Sequence, residues 1–164
     1  PSIFRIQTNL AVNHNPVQQL LRNTWVGQVM MQNVNTCSRL IHLAGVRVIL
    51  SQQPAWIYIA SEQQLLSPTD LARFIERDVK AVKNEQVEGS DPDHLEIDCL
   101  LIPGDRKMVK SISLMANLQD ALDLMQQHHI EWLVVHRDER FNKVVGIISR
   151  DMVEQYYRYQ PPAI

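Results

Sequence analysis

Glycine is scarce, five in 164 residues, and this leaves little room for a glycine-rich phosphate loop or a nucleophile elbow. Apolar runs are short as well. None approaches the ~20 residues that cross a bilayer, and nothing resembles a signal peptide. A marked excess of one charge is missing too: a net charge of -2, with both signs interspersed, provides no electrostatic footprint for DNA or RNA. The two cysteines, Cys37 and Cys99, are far apart in sequence and beside apolar residues. They read as buried free thiols, and an isolated pair carries no argument for a disulfide.

What is present begins to organise itself between Glu131 and Tyr157. Trp132–Val135 and Val144–Ile148 are runs of β-branched and apolar residues around a charged, turn-forming segment, which predicts an antiparallel hairpin. Ser149 then offers an N-cap, and Met152, Val153, Tyr156 and Tyr157 recur at helical spacing behind it. Upstream, Val109–Leu114 reads as a short strand. Asn117 and Asp120 form a shortened capping box before a face of Leu118, Ala121, Leu122 and Met125. Residues 109–157 therefore read β-α-β-β-α.

The order has an echo. Ala55–Ala60, a tight turn, Leu65–Leu66 and a Ser67 cap lead into a helix carrying Leu71, Phe74, Ile75, Val79 and Val82, and Trp56 and Trp132 open the matching strands. Between Val34 and Leu50 we expect a strand through Leu40, Ile41 and Leu43, then a helix on Val46, Ile49 and Leu50. Val17–Leu21 starts a helix after Pro16, with Asn23-Thr24 as a cap for the next turn. Leu95–Ile102 is expected as a strand entering the second repeat. The fold class is α+β.

A repeat of β-α-β-β-α ending in a Gly-hydrophobic-hydrophobic-Ser/Thr turn resembles a pair of CBS domains. The stretches that carry the resemblance are Val145-Gly146-Ile147-Ile148-Ser149, its degenerate partner Gln64-Leu65-Leu66-Ser67-Pro68-Thr69-Asp70, and the opening Val26-Gly27-Gln28-Val29-Met30-Met31. Asn15-Pro16-Val17, Pro54-Ala55-Trp56, Leu118-Gln119-Asp120-Ala121-Leu122 and Val153-Glu154-Gln155-Tyr156-Tyr157-Arg158 are similar to the cytoplasmic C-terminal region of bacterial ClC-type chloride channels and exchangers. The resemblance implies two CBS units packed as a pseudo-two-fold pair: residues 1–23 a lead-in from a membrane domain, 24–84 unit 1, 85–94 an acidic linker, 95–160 unit 2 and 161–164 a tail. It implies excision from a longer parent, a homodimer, a place on the cytoplasmic side of the bacterial inner membrane, and the parent's membrane domain as partner.

The resemblance also implies a ligand, with ATP, ADP or AMP as regulatory candidates. In nucleotide-binding CBS pairs the Ser/Thr-x-x-Asp turn offers a carboxylate to the ribose hydroxyls, and the helix start offers free N–H groups to phosphate. Ser67, Thr69 and Asp70 match that motif, and they match a plain helix start as well, with Pro68 at the first helical position. The plain start carries the greater weight. In the second copy Ser149 is retained, Met152 stands at the Asp position, and Asp151 comes one residue early; in the first, Gln64 stands where Gly146 would be. At most one adenosine site per pair is expected. His128 and His129 point ~100° apart on a helix and bring no ligand spacing, so no metal is expected. No catalytic residues are expected either. The rival readings are a ligand-free assembly scaffold and a CBS sensor of another transporter or enzyme.

Overall fold

The computed structural model describes residues 15–85, 92–137 and 143–159, with side chains of residues 79–85 and 92 left aside. The order is α1 (Pro16–Asn23), α2 (Val26–Val29), β1 (Val34–Cys37), β2 (Leu40–His42), α3 (Leu43–Ser51), β3 (Trp56–Ile59), β4 (Gln64–Leu66), α4 (Pro68–Glu85), β5 (Glu96–Asp98), β6 (Lys107–Ser113), α5 (Leu118–His128), β7 (Trp132–His136), β8 (Val144–Ser149) and α6 (Arg150–Tyr159). Setting β2 aside, β1-α3-β3-β4-α4 repeats as β6-α5-β7-β8-α6. The chain is a mixed α+β tandem repeat, as the sequence predicts. The expected lead-in through Val12, the turn at 138–142, the centre of the acidic linker and the 161–164 tail lie outside the described residues.

Two compact units emerge, and they are not cut where the sequence suggests. Asn33–Val109 forms one; the segment up to Gln32 joins everything from Lys110 onward in the other. Each repeat therefore packs with the lead-in that precedes the other. Leu95–Ile102 does not enter the second repeat: β5 pairs antiparallel with β2, Ile41 opposite Ile97. Val26–Met31, expected to open the first repeat, is held by the second. Val26 N donates to Ala116 O (2.7 Å) and Gly27 N to Leu114 O (3.1 Å), and Met31 and Ile147 exchange both backbone bonds at 2.8 Å.

In the Asn33–Val109 unit, β1 runs parallel to β3, with Val34 beside Trp56. β3 turns antiparallel into β4, Ile57 opposite Leu66, through a 3-10 turn at Ala60–Glu62 closed by a left-handed Gln63. β4 pairs on with Lys107 and Met108 at the start of β6. Leu43, expected to end a strand, instead begins α3, where with Val46 and Ile49 it makes the buried face at helical spacing. The core gathers Leu43, Val46, Ile57, Ile59, Leu66 and Leu71, all almost fully buried.

In the other unit β7 and β8 form the expected hairpin, Leu133 opposite Ile148 and Val135 opposite Gly146. The capping box forms: Asp120 N donates to Asn117 Oδ1 (2.8 Å) and Asn117 N to Asp120 Oδ2 (3.2 Å). Leu118, Ala121 and Met125 of α5 face Leu133, Val135, Ile148 and Val153 in one buried cluster. Asn15 caps α1 by accepting from Val17 N at 3.0 Å. Thr24 does not cap the next turn; its hydroxyl donates back to Leu20 O (2.7 Å), and the Gln28 side chain caps α2 by accepting from Trp25 N (2.8 Å).

Candidate ligand site

The first-repeat turn runs from β4 through Ser67 into α4. Pro68 occupies the first helical position, its missing N–H costing nothing there, and the Ser67 carbonyl accepts from Leu71 N at 3.2 Å. Thr69 is exposed in this first turn. Asp70, one residue on, lies against Gly104. That glycine has φ +135°, a backbone region that side chains rarely adopt, and a Cβ placed on it would collide with the Asp70 carboxylate. The Asp70 side chain is 19% exposed, with Arg73 Nη1 4.0 Å from its Oδ1.

From this corner a cavity of about 350 Å³ opens, lined by Asp70, Arg73, Phe74, Arg77, Asp78, Pro103 and Gly104. Residues 70, 73, 74 and 77 form one helical stripe, and with Asp78 beside it two guanidiniums, two carboxylates and a phenyl ring face a common space. Asp70, a candidate from the sequence, lies on the wall of this cavity. Arg73, Phe74, Arg77 and Gly104 were not singled out. The signal was available in the i, i+3, i+4, i+7 spacing from Asp70, but it reads equally as a solvated helix edge until Gly104 closes the other side.

The second-repeat turn is built differently. The Ser149 hydroxyl accepts from Met152 N at 3.1 Å, so this nearly buried serine caps α6. Gly146 is required by packing: a Cβ there would sit 2.7 Å from Met31 O and 2.8 Å from Met30 Sδ. In the first repeat Gln64 takes that position, and its Oε1 is buried without a hydrogen-bond partner. A second cavity of about 380 Å³ is lined by Gln28, Val29, Met152, Gln155, Tyr156 and Tyr159. Counted from the serine, its four α6 residues occupy the positions of Asp70, Arg73, Phe74 and Arg77. Of the candidate residues, Ser67, Thr69 and Asp70 cluster at one helix start, while Ser149 belongs to the other unit and is engaged in its own cap.

The titrating groups that depart from ordinary behaviour lie elsewhere in the Asn33–Val109 unit. Arg39 holds Asp98 below the usual carboxylate range by donating to it from Nε (3.1 Å) and Nη2 (3.0 Å), with Leu100 N adding a third bond (3.0 Å). Burial pushes the Tyr58 hydroxyl up. Cys37 is pushed far up, first by its hydrogen bond to Cys99 and then by burial, and the same bond draws Cys99 down. His128 and His129 are exposed at the end of α5, His129 in the left-handed C-cap conformation. Among the described residues no three His, Cys, Asp or Glu side chains converge on a metal position, and no helix is long and apolar enough to cross a membrane.

The repeat order and the two helix-start turns can be set beside known folds. Residues 105–158 match the family model for the CBS domain. The fold as a whole is that of CBS-domain proteins. A CBS-domain-containing protein from Kribbella flavida superposes with a TM-score of 0.52 at 10% identity, over 84% of this chain and 100% of that one. The CBS domain of a membrane protein from Sphaerobacter thermophilus gives 0.51 at 13% identity, over 90% and 96%. The CBS domain of a bacterial CNNM/CorC family Mg2+ transporter in complex with ATP gives 0.48 at 12%, over 88% and 94%. At these identities the likeness concerns the fold. No curated protein matches the sequence.

Proposed function

We propose that the chain is a non-catalytic regulatory module that binds an adenine nucleotide at the Asp70–Gly104 corner. The observation that supports this reading is the convergence of Asp70, Arg73, Phe74 and Arg77 on one cavity of about 350 Å³, within the range of small-molecule sites. Asp70 accepts hydrogen bonds from the ribose hydroxyls, Arg73 and Arg77 donate to phosphate oxygens, and Phe74 offers an aromatic surface to the base. Binding then shifts the module by as much as one arrangement holds the nucleotide better than another.

The finer reading is the cytoplasmic regulatory region of a ClC-type chloride channel or exchanger, acting as a homodimer beside the parent's membrane domain. Its support is the set of short sequence matches, and the sequence preceding Pro1 in the intact gene product tests it. The rival, a ligand-free scaffold, draws on the second repeat, where Met152 stands in place of the carboxylate and Ser149 is occupied as a cap.

Isothermal titration with ATP, ADP, AMP and adenosine tests the site. A phosphorylated nucleotide is expected to bind in preference to adenosine. Asp70→Ala, and separately Arg73→Gln with Arg77→Gln, should each weaken it by at least about tenfold, ~1.4 kcal/mol. At a hundred times the dissociation constant, ligand should stabilise the fold by about 2.7 kcal/mol. Absence of binding at millimolar nucleotide sinks the sensor reading and leaves the scaffold.

A further inference from the structure

Cys37 and Cys99 are remote in sequence but adjacent in space. Cys37 is the last residue of β1; Cys99 is the first after β5. The β2–β5 ladder, Leu40 opposite Asp98, extends one step so that Cys99 N donates to Arg39 O at 2.8 Å. Cys99 Sγ lies 3.8 Å from the carbonyl of Ser38, the neighbour of Cys37. The two thiols lie in one apolar cluster, at 8% and 0% exposure.

We propose that Cys37 and Cys99 form a reversible intrachain disulfide, making this corner an oxidation site for a small neutral hydroperoxide. Burial selects the oxidant: a bulky disulfide is kept out, while hydrogen peroxide is water-sized. The Cys99 thiolate attacks one peroxide oxygen, the O–O bond breaks, and the departing hydroxide leaves as water, giving a sulfenic acid. The Cys37 sulfur then attacks the Cys99 sulfur, the S–O bond breaks, and a second water carries off the Cys37 proton. Two thiols and one peroxide yield one disulfide and two waters. Cys99 is the attacking sulfur: Arg106 stands beside it, its Nη1 3.2 Å from the Cys99 carbonyl, and Cys37 and then Arg106 draw the Cys99 thiol down against burial and Asp98, whereas Cys37 is pushed up first by Cys99 and then by burial.

The crosslink would pin β1 to the segment that continues from Cys99 to Pro103 and Gly104. Arg106 Nη1 already ties that segment, donating to Cys99 O (3.2 Å) and Ile102 O (2.9 Å). Since Gly104 faces Asp70, oxidation should alter nucleotide occupancy of the cavity; that consequence rests on the nucleotide reading, whereas the bond itself does not.

The test is to expose the folded 164-residue chain to micromolar hydrogen peroxide, unfold it in a thiol-blocking maleimide, and map the intact mass and peptides. A loss of about 2 mass units, a Cys37–Cys99 peptide and full reversal by dithiothreitol are expected. Cys37→Ser should stop at a Cys99 sulfenic acid trapped by dimedone. Both thiols remaining free under conditions that oxidise exposed Met115, a link between chains, or sulfinic acid in the unaltered chain would overturn the proposal. Nucleotide titration of the oxidised chain is read separately: a disulfide with unchanged occupancy refutes only the coupling.

Discussion

The two repeats use one helix stripe for two chemistries. From the serine that opens the last helix, the third, sixth, seventh and tenth positions carry Asp, Arg, Phe and Arg in the first repeat and Met, Gln, Tyr and Tyr in the second. Each stripe lines a cavity, and in each the opposite wall is a lead-in segment: Pro103-Gly104 in one, Gln28-Val29 in the other. The backbone solution is shared; one copy carries charge along the stripe, and the other carries aromatic, amide and thioether groups. The turn glycine is divided in the opposite sense, with Gly146 in the copy whose stripe is uncharged and Gln64 in the copy whose stripe is charged.

The comparison can be broken at matched positions. Leu66 and Ile148 immediately precede the two serines, and both are fully buried. Leu66→Ala and Ile148→Ala should each cost ~2–5 kcal/mol in denaturant unfolding; a cost near zero for either would show that the two corners are not packed alike. Gly146→Ala places a methyl against a backbone carbonyl and should cost about 1–3 kcal/mol, whereas Gln64→Ala removes a buried oxygen without a partner and should be close to neutral. Ser149→Ala removes an observed cap and should cost about 1 kcal/mol, with amide exchange rising first in α6.

The smallest effect expected is one of pH. Asp98 has a folded-state pKa below its unfolded value, so the Arg39–Asp98 pair contributes stability above the ordinary aspartate range and loses it as pH falls through the depressed value. Arg39→Gln should return the Asp98 titration, followed by carboxyl NMR, toward that of an ordinary aspartate. The pair is at the surface, so added salt should shrink the difference.

Local signals carried most of the element reading. Asn117 and Asp120 announced α5, and Ser149 announced α6, because caps and apolar spacing act within one or two turns. The α+β repeat followed from their order. What the sequence did not disclose was long-range: Val26–Met31 and Leu95–Ile102 are short apolar stretches whose partners are chosen by backbone pairing, and nothing local distinguishes one acceptor from the other. Leu43 is ambiguous for a related reason, since the apolar stretch Leu40, Ile41 and Leu43 fits a strand or a buried helix start equally. The motif marks Asp70 as a candidate, but Arg73, Phe74 and Arg77 come to line a cavity with it only because Gly104, remote in sequence, arrives opposite the helix.

The exchange of lead-ins also sets a timetable. During synthesis the first repeat can complete its own hairpin early, yet Met31 has no strand to join until Ile147 has left the ribosome, on the order of ten seconds later at ordinary elongation rates. Through that interval Met31 stays unpaired, and Trp25, at the head of the same segment, keeps half its surface in water even in the finished fold. The strand that carries Ile147 therefore ties down a segment made well before it, so a release or stall before Ile147 should leave a product with an unpaired apolar segment that chaperones and proteases can recognise.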